Sequence, residues 1–356
     1  MVIELCRHVF TNKLMLIILQ SILWAIFGII LYREKIVDDN LPRLLGRTLY
    51  WVGVPLQIFF LARRSNFDQI ALIPPVMTVA VIAIGLMLAV FVVEILKQLV
   101  LAIATRVVPQ SQIEGLLLSV GLSMPVSTRQ FIDRATPNNK QGIGSFVLAS
   151  ILGNTGFIGL ALIPPFVDPS YWSWIVLYGV AHNVLGSYGI GVLVADRYSH
   201  SGTKSRQINW FNQLQNLLFL PSLWAFAYGY FGRDIPLPSA IEAIVSKAVL
   251  LVVPGAFILI GMQLSKLQQW QNLSSGVIPA MLKTLVVPAI AGLLFTIVGL
   301  EGDARLVLVL MSSMPTAFAS IILAEEYNLD RQVAASSILL STLALPLVIF
   351  IWLTVF

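Results

Sequence analysis

Ten apolar stretches, each long enough to cross a bilayer, restrict the fold of this chain more than any other feature. A transmembrane helix needs roughly 20 apolar residues, because it rises about 1.5 Å per residue through a hydrocarbon core about 30 Å thick. The predicted spans are M1 14–32, M2 44–62, M3 72–95, M4 143–164, M5 170–195, M6 209–232, M7 241–263, M8 277–300, M9 305–325 and M10 332–355. The sequence therefore predicts an all-α polytopic membrane protein with ten transmembrane helices.

The composition supports this prediction. Of the 356 residues, 58% are hydrophobic and 11% are charged, whereas soluble domains average about 25% charged residues. The net charge is +5, but the basic residues stand singly between apolar stretches, so they indicate membrane topology and no nucleic-acid partner. One cysteine, Cys6, and three histidines give no basis for a disulfide within these residues, a metal site or a metal cofactor.

The distribution of lysine and arginine predicts the orientation of the chain. If the N-terminus lies outside, most of these residues fall on the cytoplasmic side, which is the bias that membrane proteins follow. Both termini are therefore predicted to lie outside a plasma membrane or bacterial inner membrane, with 196–208 as a cytoplasmic linker. The first apolar stretch lacks a small-residue cleavage signature and is interpreted as a retained span. Lys283 lies inside M8, and we expect its side chain to extend toward the cytoplasmic surface.

The region 98–142 leaves the topology near M3 open. Its apolar piece, 115–128, is short for a span and contains Pro125. We interpret this piece as an extension of M3 or as an interfacial segment. A further span here would change the orientation of the first three helices.

Two predicted spans contain helix breakers near their midpoints. In M4, Gly153 and Gly156 flank Asn154 and Thr155, and in M9, Pro315 lies within SSMPTAFAS. Glycine loosens a helix, and proline removes one N–H donor and crowds the carbonyl four residues earlier. For either helix alone a simple kink is an equal interpretation. Breakers at corresponding positions in both helices favour true interruptions.

An interruption at mid-membrane has a chemical consequence. It frees backbone N–H and C=O groups, which persist only inside protein or beside a watery cavity. Two interruptions therefore predict a polar pocket at the centre of the bilayer, where N-terminal helix ends favour an anion and C-terminal ends favour a cation. The residues predicted to bind substrate at the interruptions are Gly153, Asn154, Thr155, Ser313, Pro315 and Thr316.

Three polar residues lie in the middle of M5. Tyr178, His182 and Asn183 fall on one part of this helix. They are interpreted either as a wall of the substrate pocket, with His182 as a proton site, or as partners in helix–helix hydrogen bonds. Both interpretations stay open at this point.

An internal repeat relates the two interrupted spans. Asn154 and Thr316 are 162 residues apart, and so are Asp168 and Asp330, which precede M5 and M10. Because five helices form each half, the second half would enter the membrane upside down, as in the inverted repeats of secondary transporters. The predicted halves are 1–195, containing M1–M5, and 209–356, containing M6–M10.

Three sequence motifs resemble the auxin efflux carrier family, which includes plant PIN proteins and bacterial organic-acid permeases. They are LASILGNTGFIGLALI in M4, SSMPTAFASIILAEEYNLD in M9 and LLSTLALPL in M10. The resemblance implies that M4 and M9 cross at broken midpoints. It also implies a scaffold of M1, M2, M6 and M7, a transport domain of M3–M5 and M8–M10, and elevator-type exchange. Gly153 departs from the family pattern, because PIN proteins carry a proline there.

Several functional interpretations follow, and one leads. The leading one is a secondary transporter of a small organic anion, auxin-like or another carboxylate, with coupling to a proton, to sodium or to neither, and with homodimer formation, left open. A sodium-coupled symporter of the bile-acid type is the first alternative, although M4 and the centre of M9 contain no carboxylate. A sensor with a transporter fold is the second. An enzyme is not expected, because a nucleophile and base or metal ligands do not converge at one depth.

Overall fold

The computed structural model describes residues 19–20, 22–65, 67, 72–105, 131, 134–199, 219–266 and 273–356. Regular structure in these residues is helical, as the sequence predicted. In chain order the helices are α1 Ile22–Arg33, α2 Leu41–Arg64, α3 Ile73–Thr105, α4a Lys140–Ile151, α4b Thr155–Phe166, α5 Pro169–Tyr198, α6 Pro221–Phe231, α7 Ser239–Lys266, α8 Ser274–Ile297, α9a Gly302–Ser312, α9b Ala319–Glu326 and α10 Arg331–Val355.

Six of these helices are long and apolar enough to cross a membrane. They are α2, α3, α5, α7, α8 and α10, and they confirm a multi-pass membrane protein. The other four predicted spans are shorter among the described residues, for two different reasons. The predicted spans M1 and M6 extend into residues outside the described ranges. The piece 115–128 and most of the linker 196–208 also lie outside them. M4 and M9 are each divided in two.

Helix α3 is longer than the sequence analysis predicted. Its predicted end at 95 is wrong, because the helix continues to Thr105. Glu94 and Lys97, on either side of the predicted end, form an ion pair of 3.6 Å on the exposed side of one continuous helix. Residues three apart on a helix face one another, so such a pair supports a helix and does not terminate it.

Aspartates begin two helices at corresponding places. Asp330 accepts hydrogen bonds from Gln332 N at 2.8 Å and Val333 N at 3.3 Å, which caps α10. Asp168 accepts from Ser170 N at 2.9 Å and begins α5 in the same way. These bonds to Ser170 lower the pKa of the Asp168 carboxyl, because they favour its ionised form. A side-chain oxygen at this position satisfies N–H groups that the first helical turn leaves free.

A proline shapes the middle of α8. Pro288 has no N–H to donate to Thr284 O, four residues earlier. The helix widens to a π turn over Leu282–Val286, and Trp352 of α10 donates its indole Nε1–H to Thr284 O at 3.0 Å. The freed carbonyl is thereby satisfied by a neighbouring helix, which is how membrane helices tolerate proline.

The described helices pack in two sets of contacts. In the first set α2 packs on α6 and α7, and α7 also contacts α1. In the second set α3, α5, α8 and α10 surround the two interrupted helices. The largest apolar cluster of the described residues joins the two sets, because Ile58 of α2 and Phe257 of α7 belong to it together with buried side chains of α4b, α5, α8, α9a and α10.

Helix α1 approaches α7 so closely that glycine is required at the contact. A Cβ atom at Gly261 would overlap the carbonyl oxygen of Ala25, and one at Gly28 would overlap that of Ile258. Small residues at such contacts let the backbones of membrane helices approach each other.

We expect Gly261→Ala to lower the stability of the protein, because a backbone carbonyl cannot rotate away from the added methyl group. Overpacking of this kind costs about 1–3 kcal/mol, which thermal unfolding in detergent would detect as a lower Tm. Gly255→Ala is the matched control on α7, since its Cβ meets only the side chain of Leu49, at 3.4 Å. Equal Tm values for the two variants would contradict the close contact.

Candidate transport site

The two interrupted helices meet at their interruptions. Helix α4a ends at Ile151 and α9a at Ser312, and each segment then leaves the helix before its second half begins. Asn154 N donates to Pro315 O at 2.7 Å, and Ala317 N donates to Leu152 O at 2.8 Å. These two bonds form a short antiparallel bridge between the segments, so each interruption satisfies backbone groups that the other leaves free.

Side chains hold the two segments in place. Thr316 Oγ1 donates to Ala149 O at 3.0 Å, and Thr316 N donates to Ser341 Oγ of α10 at 3.0 Å. Asn154 Oδ1 accepts from Phe157 N at 3.2 Å and caps α4b. All four side chains of Asn154, Thr155, Ser313 and Thr316 are almost fully buried.

A cavity of about 250 Å³ lies beside the second halves of the interrupted helices. Its polar surface comes from Asn154, Asn183, Ser187 and Ser222, and from a pair of tyrosines, Tyr50 and Tyr188, whose hydroxyls lie 2.5 Å apart. Its apolar surface comes from Val54, Phe157, Val192, Ile322 and Leu323. The cavity extends to Glu326, which is exposed at the end of α9b.

Three residues that line the cavity have unsatisfied backbone donors. Within the described part of the chain, the N–H groups of Gly156, Phe318 and Ala319 donate no hydrogen bond. All three lie at the N-terminal ends of α4b and α9b. Free donors and a positive helix end at the same place form an environment that suits an anion.

The structure separates the predicted site residues into two groups. Gly153, Asn154 and Asn183 line the cavity. The other six do not line it, and they are buried around the interruptions: Thr155, Tyr178, His182, Ser313, Pro315 and Thr316. The hydroxyl of Ser313, for instance, donates to Leu310 O at 2.8 Å within its own helix.

His182 lies directly against the interruption of α4. Its Nε2 atom is 3.4 Å from Gly153 N and 3.3 Å from Ile151 O. The ring of Tyr178 stacks on the imidazole with centroids 6.1 Å apart. This arrangement places the histidine in contact with the backbone of α4 and behind the cavity wall.

Lys283 corrects one expectation from the sequence. Its side chain does not extend to the cytoplasmic surface: it is 2% exposed, and its Nζ donates to Ser312 O at the interruption of α9. The π turn before Pro288 lies at this point of α8. The proline five residues downstream was the available signal, because it alters the helical rotation on which the expectation depended.

Sequence reasoning also missed the residues that α2 and α6 contribute to the cavity. Tyr50, Val54 and Ser222 lie far from the interruptions along the chain. Only the packing of α2 and α6 against the interrupted helices brings them to the cavity.

The fold is that of a multi-pass membrane protein, and two comparisons with known proteins indicate a transporter. A family profile described as membrane transport protein matches residues 213–353. The uncharacterized transporter MJ1031 of Methanocaldococcus jannaschii is 26% identical over 215 residues, which are 59% of this chain and 67% of that relative. These matches confirm the predicted resemblance to the membrane transport protein family that contains the auxin efflux carriers.

We expect Thr316→Val to lower the Tm, because it removes the hydroxyl that joins the α9 interruption to α4a. A lost hydrogen bond of this kind costs about 0.5–1.5 kcal/mol. Thr78→Val is the matched control, since Thr78 is equally buried but its hydroxyl donates to Pro74 O of its own helix at 2.7 Å. If Thr78→Val is as destabilising as Thr316→Val, the bond between the two helices has no special importance.

Proposed function

We propose that this protein is a secondary transporter of a small organic anion, auxin-like or another carboxylate. The observation that supports this proposal best is the cavity at the N-terminal ends of α4b and α9b, with the free N–H groups of Gly156, Phe318 and Ala319. A carboxylate there accepts hydrogen bonds from these donors and is stabilised by the two helix ends. Each helix end contributes about 0.3–2 kcal/mol, depending on burial.

The remainder of the cavity favours a substrate with an apolar body. Phe157, Ile322 and Leu323 line it opposite the polar groups. Its volume of about 250 Å³ is slightly below the range of about 300–1,000 Å³ in which drug-sized ligands bind. A small carboxylic acid with an apolar or aromatic part suits both properties.

The proposed mechanism is elevator-type alternating access in a ten-helix inverted repeat, with α4 and α9 crossing at their interruptions. Helices α1, α2, α6 and α7 form the scaffold, and the remaining helices form the transport domain. Two observations support this division: the two sets of helix contacts, and the position of the cavity between them. Tyr50 and Ser222 come from the scaffold side, whereas Asn154 and Asn183 come from the other. Sliding one set past the other moves the cavity across the membrane.

The described conformation corresponds to one end of this movement. The cavity extends to Glu326 at the end of α9b, the side that the lysine and arginine distribution assigns to the cytoplasm. With both termini outside, as the same distribution predicts, the cavity opens inward.

A charge placed in the cavity tests the proposal. We expect Asn183→Asp to lower uptake of the substrate in proteoliposomes at least about tenfold, since like charges about 4 Å apart repel by well over 1.4 kcal/mol at intermediate dielectric. Labelled mono- and dicarboxylates and indole acids, loaded for counterflow, identify the substrate. Asn40→Asp makes the same change at an exposed residue outside the cavity and is expected to leave uptake intact.

Other outcomes of this assay discriminate the alternatives. Counterflow that requires sodium supports the symporter of the bile-acid type. Binding of an acid without counterflow supports a sensor. Normal uptake by Asn183→Asp contradicts the proposed anion site.

A further inference from the structure

Lys283 brings a buried positive charge to both interruptions. Its Nζ donates to Ser312 O, the last residue of α9a. A Cβ atom at Gly153 would lie 2.8 Å from Lys283 Cε and 2.9 Å from Nζ, so the lysine also contacts the α4 interruption. Glycine at 153 leaves the room that this side chain needs.

No carboxylate of the described residues faces this ammonium group. Of the helices packed against α8, α4 and α10 carry no acidic residue, and Glu94 of α3 is exposed and paired with Lys97. The acidic residues of α9, namely Asp303, Glu325 and Glu326, lie toward its two ends. His182 of α5 is the titratable group on the other side of Gly153. A lysine without a carboxylate partner is costly within a membrane and points to a function.

The C-terminal ends of two helices provide the compensating charge. Each C-terminal end carries about half a negative charge from the aligned peptide dipoles of its helix. Lys283 contacts Ser312, the last residue of α9a, and Gly153, two residues beyond the end of α4a at Ile151. Together the two ends offer about one negative charge, which matches one ammonium group.

The helix ends at Lys283 have the opposite polarity to those at the substrate cavity. The C-terminal ends of the first halves meet at Lys283, and the N-terminal ends of the second halves meet at the cavity. Paired C-terminal helix ends are where a transporter with broken helices coordinates a free cation.

We propose that Lys283 is a resident cation that occupies the position a sodium ion would otherwise take between α4a and α9a. The inference rests on the proposed function, because it makes transport of the anion independent of a free metal cation. The ammonium group neutralises the two C-terminal ends and holds the interruptions in register. The substrate then binds at the opposite ends without a co-transported ion.

Emptying the position tests this inference. Lys283→Ala removes the charge and leaves a space of the shape of propylammonium, whereas Lys283→Met removes the charge and fills the space. We expect the uptake rate of both variants to be at least about tenfold lower than that of the wild type in a buffer whose cation is N-methylglucamine. Propylammonium or sodium is expected to raise the uptake and the Tm of Lys283→Ala, because a ligand that binds only the folded state stabilises it. Neither cation is expected to change the wild type or Lys283→Met.

The Tm readout separates this inference from the proposed function. Stabilisation of Lys283→Ala by propylammonium or sodium, without counterflow of any acid by the wild type, supports the cation position and contradicts the transport proposal. Equal responses of Lys283→Ala and Lys283→Met, or a sodium requirement in the wild type, overturn the inference. Lys247→Ala is the control, because Lys247 is exposed on α7.

A double-mutant cycle tests the contact between Lys283 and Gly153 without an added cation. Gly153→Ala alone is expected to lower the Tm, since the methyl group overlaps Lys283. In the Lys283→Ala background the same substitution is expected to cost little. Additive effects of the two substitutions would show that Lys283 and Gly153 do not contact each other.

Discussion

The backbone hydrogen bonds between the two interruptions are the constraint on which the rest of this structure depends. An unsatisfied N–H or C=O group costs several kcal/mol in a bilayer, so a broken helix needs a partner of the same kind. Here Asn154 N bonds to Pro315 O and Ala317 N to Leu152 O. Because these bonds satisfy only part of what the breaks expose, donors on one side and acceptors on the other are left for ligands and side chains.

Side chains of the surrounding helices satisfy backbone groups at and near the interruptions. Ser341 of α10 accepts from Thr316 N, and His182 contacts the backbone beside Gly153. Pro288 widens α8 and Trp352 occupies the carbonyl that the proline frees. Polar side chains that would be costly against lipid are thus used to hold irregular backbone within the protein.

The sequence predicted those features that depend on local chemistry. Apolar length located the six long helices of the described residues. Gly153 with Asn154 and Pro315 marked the residues at which two further helices are interrupted, because proline and glycine act on their own turn of helix. The contact of Lys283 with the interruptions was not predicted, since the direction of its side chain depends on a π turn and on helices far away in sequence. The positions of Tyr50 and Ser222 in the cavity wall were not predicted for a similar reason, because only tertiary packing brings them there. The end of α3 was placed too early because the prediction followed the apolar stretch, whereas the helix continues through the charged residues Glu94 and Lys97.

An experimental structure in a lipid nanodisc with a transported acid bound tests the central claim most directly. The account predicts two segments that leave the helix near Gly153 and Pro315 and are joined by the antiparallel bridge between them. It also predicts that the acid's carboxylate lies within hydrogen-bonding distance of Gly156 N, Phe318 N or Ala319 N. Continuous helical hydrogen bonds through residues 150–158 and 311–319, with an acid bound elsewhere, would contradict it.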